Sequence, residues 1–369
     1  MMQRTPLYEQ HKALGARMVP FGGWEMPVQY TGIIEEHHAV RQRAGLFDIS
    51  HMGRFVVSGP DAEAFLQALT TADVAAIDVQ QSQYGLLCYP HGGIVDDIFI
   101  YRLQPDQWLV VVNAGNRQKD WDWFQQHQSG FTVQIEDRSQ DWAMLALQGP
   151  AAEALLAPAH ETADVDLTRL PFHAITTFRL CGADGFISRT GYTGEDGFEL
   201  FLPTAAVADC WQYLLRLDDA QTVLPCGLGA RDSLRFEACL ALYGHEIDET
   251  INPYEARLGW VVKLHKGDFI GRDALLRIKA EKPARHLVGF EMVGRGVPRS
   301  QYPIQQLSGE TVGHVTTGMP TPTLGQPLGL GLVPRVLATV GSEFAVLIRQ
   351  KPVRARVIKT PFYQPRYKK

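Results

Sequence analysis

The sequence predicts an α+β protein in which strands and helices do not alternate regularly, ending in a small barrel or sandwich. Three observations carry this reading. Apolar runs of strand length and amphipathic runs of helix length follow one another in mixed order. One strand–turn–helix pattern occurs twice. After about residue 283, short β-like runs separated by glycines and prolines replace helical patterning. At 369 residues the chain is too long for one ordinary core, and its 45% apolar content is enough to bury two or three domains.

The repeated pattern is Val57-Ser58-Gly59-Pro60-Asp61-Ala62-Glu63-Ala64-Phe65-Leu66 against Leu147-Gln148-Gly149-Pro150-Ala151-Ala152-Glu153-Ala154-Leu155-Leu156. Each copy reads as a strand, a Gly-Pro turn and a helix with proline at its first position, where the missing N–H does no harm. Such an echo fits a duplicated unit or two independent uses of one good helix start. Between the copies, Gly92-Gly93-Ile94-Val95-Asp96-Asp97-Ile98-Phe99-Ile100-Tyr101 reads as a fully buried strand. Further strands are expected at 108–112 and 198–202, and helices at 116–127 and 207–217. The polar segment Glu281-Lys282-Pro283-Ala284-Arg285-His286 marks a boundary, dividing the chain into 1–280 and 283–369. Beyond it come β-like runs at 287–292, 344–348 and 353–358. The glycines and prolines between them, from Gly294 through Gly318, Gly329 and Gly331 to Pro334, read as turns.

Charge and cysteine content exclude several functions. A net charge of −5 argues against a general nucleic-acid or anionic-membrane binder. The five cysteines include no Cys-x-x-Cys, so neither a disulfide framework nor a zinc site is indicated, and a reducing compartment fits. No apolar run approaches the length that spans a bilayer, and Met1 to Gln10 lacks the apolar stretch of a secretory signal. The chain reads as cytoplasmic.

Three segments have the composition of sites. On an ideal strand Asp97 shares one face with Val95, Phe99 and Tyr101, and Asp96 shares the other with Ile94, Ile98 and Ile100. At least one carboxylate is therefore poorly hydrated, and it must be hydrogen-bonded or held for chemistry. The alternative is that Asp96 satisfies a turn and Asp97 pairs with a distant arginine. Arg189 to Leu200 is glycine-rich and leads into a strand carrying Glu199. A carboxylate there can accept two parallel N–H bonds from a planar amidine-like edge, such as an arginine guanidinium or the 2-amino-pyrimidinone edge of a pterin or guanine, or it can form a surface salt bridge, the more common fate of a lone strand glutamate. Pro225 to Ala238 reads as a glycine turn opening a helix with Arg231 in its first turn. A cation there opposes the helix dipole, so either an anion binds nearby or Arg231 and Arg235 pair with Asp232 or Glu237. Gly227-x-Gly229 lacks the third glycine of a dinucleotide fingerprint. His37-His38 reads as a solvated helix face, and Ser50-His51-Met52-Gly53 is ambiguous. No P-loop, Gly-x-Ser-x-Gly or His-Glu-x-x-His occurs, so metal and serine-hydrolase chemistry find no support.

Taken in order, these segments resemble the aminomethyltransferase (T protein) family of the glycine cleavage system. The resemblance begins at Arg4-Thr5-Pro6-Leu7-Tyr8 and Phe21-Gly22-Gly23-Trp24-Glu25-Met26-Pro27. It continues through Phe47 to Gly53, the Gly-Gly-x-x-Asp-Asp strand, Arg189 to Leu200, Gly227 to Asp232 and Tyr243-Gly244-His245-Glu246. It closes at Thr317-Gly318 and Pro322-Thr323-Leu324-Gly325. The chain starts where the family's mature pattern starts, so no mitochondrial presequence is expected.

The resemblance implies a three-domain clover-leaf, with two related, interleaved α+β domains in 1–280 and a C-terminal β-barrel-like domain in 283–369, around a central folate pocket. It implies transfer of the methylene of an aminomethyl group, carried on the lipoyl arm of a partner H protein, to tetrahydrofolate with release of ammonia and no metal. Asp97 corresponds to the family's catalytic aspartate, which would accept a hydrogen bond and orient the attacking nitrogen 5. Glu199 corresponds to its pterin-contacting glutamate and Arg231 to its folate-binding arginine. Tyr192, Tyr84, Tyr101, Met52 and Phe99 fall along the family's folate pocket. Alternatives on the same scaffold are a folate-dependent demethylase and a non-catalytic folate binder, although the Lys-Gly-Cys-x-x-Gly-Gln signature of the latter is missing at Ala241 to Glu246. The family usually has Gln at His245. An acidic H protein needs a local basic surface, for which Lys351, Arg354 and Arg356 or the terminal Arg366-Tyr367-Lys368-Lys369 are candidates, the last group reading more simply as a solvated tail.

Overall fold

The computed structural model describes residues 2–162, 165–217 and 222–368, so Met1 and Lys369 lie outside the described residues. Two larger antiparallel-based sheets, a two-stranded hairpin of Arg17–Phe21 and Trp24–Gln29, and a barrel make up the β structure of the described residues. The first sheet runs Ser82–Cys88, Ile94–Gln104, Gln107–Val112, Gly53–Ser58, Gln134–Asp137 in spatial order. The second runs Ile175–Leu180, Ala183–Ser188, Gly197–Pro203, Trp142–Gln148, Ala44–Asp48, Val223–Pro225.

The sequence echo corresponds to a topological repeat. In each sheet the strand before the Gly-Pro turn is followed by a helix, Ala62–Leu69 or Ala152–Leu156, and a three-strand meander whose last strand pairs back on the first. The units interleave, because Ala44–Asp48 precedes the first sheet in sequence yet pairs within the second. Gly59 and Gly149 hold φ of 119° and 128°, and an added Cβ would meet backbone oxygens of Thr132 and Arg43 at 2.6 and 2.5 Å. Only glycine fits that bend. The prolines stand one position before the caps Asp61 and Ala151 rather than inside the helices. They stiffen the turn, and Gly59 and Gly149 carbonyls accept the first N–H groups of the helices. The helix expected at 207–217 ends at Leu214.

The C-terminal strands Arg285–Met292, Pro327–Pro334, Thr311–Pro320, Pro303–Gln305, Glu343–Ile348 and Lys351–Ile358 close into a barrel. Gly318, Gly329 and Gly331 lie within these strands, not in turns as expected. At Gly329 an added Cβ would come within 2.2 Å of the Phe290 ring, and at Gly331 within 2.7 Å of Ile304. A small barrel filled by Phe290, Ile304, Phe344 and Val346 has no room for side chains there.

Buried ion pairs fasten the barrel to the α+β body. Arg235 binds Glu246 at 2.7 Å, and Glu246 accepts the hydroxyls of Thr316 and Thr317 at 2.7 and 2.6 Å. Arg41 binds Glu195 and Glu237 at 3.0 and 3.1 Å, while Glu237 accepts the Thr323 N–H at 2.8 Å. His37 is buried, between Ser233 at 2.8 Å and Thr323 at 2.7 Å, which corrects its reading as a solvated face. Burial lowers its pKa. His245, the departure from the family pattern, sits in the same seam with Nδ1 at 3.2 Å from the Thr316 carbonyl.

Candidate active site

The strand Ile94–Gln104 carries the two aspartates, and its register breaks beside them. Leu87 pairs with Asp96 and Cys88 with Ile94, which leaves Val95 as the extra residue of a β-bulge. Val95 turns into the same core as Ile98 and Ile100, instead of sharing Asp97's face as ideal alternation predicts. Asp96 faces inward and is fully buried. It accepts the Asn113 backbone N–H and Nδ2, each at 3.0 Å, and Asn116 Nδ2 at 2.5 Å. Asp97 opens on the opposite side into a cavity of about 500 Å³. Its Oδ2 accepts the Tyr84 hydroxyl at 3.0 Å and its Oδ1 accepts Asn113 Nδ2 at 2.7 Å. Neither the turn role for Asp96 nor an arginine partner for Asp97 is present among the described residues. Burial, and then the charge of Asp96, push the Asp97 carboxyl up to about 7 against the pull of its two donors.

The second sheet contributes Glu199 to the same cavity. Its neighbours Phe198 and Leu200 enter the core on the opposite face, as strand alternation requires. Oε2 of Glu199 accepts Thr190 Oγ1 at 2.5 Å and the Tyr101 hydroxyl at 3.2 Å. Oε1 takes no donor from the described residues, and no cation among them pairs with the group, so the surface salt bridge is not formed. Burial raises the pKa of this carboxyl.

Arg231 reaches the cavity from the helix Leu228–Glu237. Asp232 is taken by Arg235 at 2.8 Å, and Arg231 forms no ion pair with the described residues. Its guanidinium lies 4.5 Å from the centre of the Tyr192 ring, and burial lowers its pKa. The anion at this helix's N-terminus belongs to the protein: Glu36 Oε2 accepts the Gly227 N–H at 2.8 Å. A ligand is thus not needed to satisfy the helix end, and Arg231 faces the cavity with its guanidinium free to meet one. Tyr192 is anchored by donating its hydroxyl to the Ala241 carbonyl.

All eight residues singled out in the sequence, Asp97, Glu199, Arg231, Tyr192, Tyr84, Tyr101, Met52 and Phe99, line this one cavity. Sequence reasoning missed Asn113, which clamps both aspartates but reads locally as strand-end punctuation. It also missed Trp260, whose ring stacks on Tyr84 at 6.0 Å and 24°, and Tyr367, whose ring stacks on Phe172 at 4.6 Å and 20°. The last residues are not a free tail. Arg366 N–H donates to Gly194 at 2.8 Å and Lys368 Nζ reaches Glu153 at 2.7 Å. Of the basic candidates, Lys351, Arg354 and Arg356 are all exposed, and Arg356 is paired with Glu343 at 3.0 Å. No helix among the described residues is long and apolar enough to cross a membrane, and no group of three or more His, Cys, Asp or Glu is placed to hold a metal.

Two sheets and a barrel closing on a mostly apolar cavity, with a half-buried carboxyl of raised pKa, a half-free carboxylate and an unpaired guanidinium in its wall, define a small-molecule group-transfer site. The chain matches the GCVT N-terminal domain over residues 7–266 and the glycine cleavage T-protein C-terminal barrel domain over 285–364. It is 60% identical over 368 residues to an aminomethyltransferase of Herpetosiphon aurantiacus, covering 100% of both chains. It is 54% identical over 369 residues to one of Symbiobacterium thermophilum, covering 98% of both. The crystal structure of glycine cleavage system aminomethyltransferase T from Bartonella henselae superposes with a TM-score of 0.94 at 36% identity, covering 100% of both chains. This chain belongs to the glycine cleavage T-protein family of aminomethyltransferases.

Proposed function

We propose that the cavity takes tetrahydrofolate as co-substrate and that the aminomethyl group arrives on the lipoyl arm of a partner H protein. One observation carries the reading: three polar groups open on a single cavity with bonding capacity unspent. Glu199 Oε1 is free to accept from the amidine-like edge of a pterin, and Arg231 is free to donate to its carbonyl side. Tyr192 and Phe99, both partly exposed to the cavity, offer ring faces to a flat heterocycle.

Asp97, held by Tyr84 and Asn113, orients the attacking nitrogen by accepting its hydrogen bond. The nitrogen forms its new bond to the methylene carbon while the carbon–ammonia bond breaks. The second nitrogen of the folate then closes the methylene bridge, and the arm leaves as a dithiol. In its ionised form Asp97 also stabilises the positive charge that passes through the carbon. The five cysteines are free, which suits a cytoplasmic enzyme.

Calorimetric titration with tetrahydrofolate, and ammonia release dependent on aminomethyl-loaded H protein, test the reading. Glu199→Gln and Arg231→Ala should each weaken folate binding by about tenfold or more. Unaltered affinity in both would return these residues to a purely structural role.

A further inference from the structure

Exposure sorts the residues of the cavity wall. Only Arg257, Trp260 and Thr360 among them are exposed, which places the mouth at these three positions. A line of contacts leads from the reacting end to that mouth: Asp97 accepts from Tyr84, and Tyr84 is stacked under Trp260, which is 62% exposed. A tetrahydrofolate whose pteridine meets Asp97 and Glu199 must emerge here, and what emerges is its glutamyl tail.

The mouth carries one charge. Asp97, Glu199 and Arg231 are set back in the wall, and Arg257 alone is both charged and exposed. It forms no ion pair with the described residues. The acid nearest to it in sequence, Glu255, is committed to Arg285 at 2.7 Å and to the Asn252 N–H at 3.1 Å. Arg257 Nε donates to the Leu287 carbonyl at 3.3 Å, which steadies the guanidinium and leaves its two terminal nitrogens unspent. The backbone at Arg257 has φ of 62°, a conformation that glycine or asparagine adopts more cheaply. Local conformation therefore does not account for arginine at this position.

We infer that Arg257 is a carboxylate-binding residue at the cavity mouth, taking the glutamyl tail of the folate through its terminal guanidinium nitrogens. The inference rests on the folate reading above. A planar fork of N–H donors matches a carboxylate bidentately, and each further γ-linked glutamate brings another carboxylate within reach of the same group. On a chain of net charge −5, an exposed cation that shares the neighbourhood of His286 with a second arginine, Arg335, is also where an anionic tail is least repelled.

The test uses the full chain and its Arg257→Asn variant, since asparagine keeps the positive φ and the variant keeps its fold. Titration compares tetrahydrofolate, its pentaglutamate and 6-methyltetrahydropterin, which has no tail. Arg257→Asn should weaken tetrahydrofolate by about two- to tenfold and the pentaglutamate by at least as much, with the tailless pterin unchanged. Arg257→Lys should restore part of the loss. Equal effects on all three compounds, or none, overturn the assignment. Unchanged folate binding with a raised KM for H protein overturns it too, making Arg257 a protein-docking cation. If the unsubstituted chain binds none of the three compounds, the folate reading itself falls.

Discussion

Replacing Asp97 by asparagine should abolish turnover and stabilise the protein, by an amount that grows with pH. The folded-state value of about 7 stands against 3.8 for an unfolded aspartate. Between those two values the native state holds a proton that the unfolded chain has released, so stability falls as pH rises through the window and stays low above 7. The full cost, at 1.36 kcal/mol per unit, is about 4 kcal/mol at pH 8, and about 2 kcal/mol is already incurred at pH 5. Asparagine removes that cost but offers one acceptor where Tyr84 and Asn113 use two, which returns about 1 kcal/mol. The variant should therefore be more stable than its parent by about 3 kcal/mol at pH 8 and about 1 kcal/mol at pH 5. Scanning calorimetry of both proteins at the two pH values reads this as a Tm gap that widens toward alkaline pH. A gap independent of pH, or a parent that melts higher at pH 8, would refute the claim that poor solvation and the neighbouring Asp96 raise the Asp97 carboxyl.

The same titration should appear in catalysis. If ionised Asp97 is the working form, kcat/KM rises through about pH 7 and levels off above it. Asp96→Asn should move that inflection downward by removing the neighbouring charge, and Tyr84→Phe should move it upward by removing a donor to the carboxylate. A rate that falls through the same pH range would assign catalysis to the protonated acid instead. In the barrel, Gly329→Ala should cost about 1–3 kcal/mol through the collision with Phe290 while leaving folate affinity unchanged, and a Tm equal to the parent's would show that the ring can move aside.

Elements with strong local signals were legible in the sequence. Gln107–Val112, rich in β-branched residues, is a strand within one residue of its expected start, and Gly197–Pro203 brackets the expected 198–202. What could not be read locally depends on distant atoms. Pro327–Pro334 looks like a string of turns because its glycines answer to Phe290 and Ile304 across the barrel, not to their own neighbours. The bulge at Val95 is invisible to a period-two count, since its register is fixed by Leu87 and Cys88 on the partner strand. The segments around Glu246, Thr317 and Thr323 stood out as motifs, and their role in the structure is mechanical, since they clamp the barrel to the body and only indirectly shape the cavity. Trp260 and Tyr367 reach the cavity from stretches that carry no local pattern of a site.

The repeat explains why the site lies where it does. Each unit can bury one face of its sheet under its own helices, and the remaining faces meet through a shared cluster containing Val56, Leu109, Val111, Met144, Ala146 and Phe201. Two twisted sheets cannot stay in contact along their whole length, so a gap opens where they diverge. Both units place a carboxyl at that gap: Asp97 from the first and Glu199 from the second. The Tyr101 hydroxyl crosses from the first sheet to Glu199 in the second at 3.2 Å, coupling the two halves. Neither sheet alone, and no barrel alone, would hold these two carboxyls at a fixed separation across one cavity. The seam of Arg41, Arg235, Glu237 and Glu246 then closes the third side, since Leu287 and Leu330 of the barrel complete the cavity wall. Aminomethyl transfer on this scaffold is thus a property of the junction, and loosening the barrel seam should impair catalysis without touching any residue that meets the substrate.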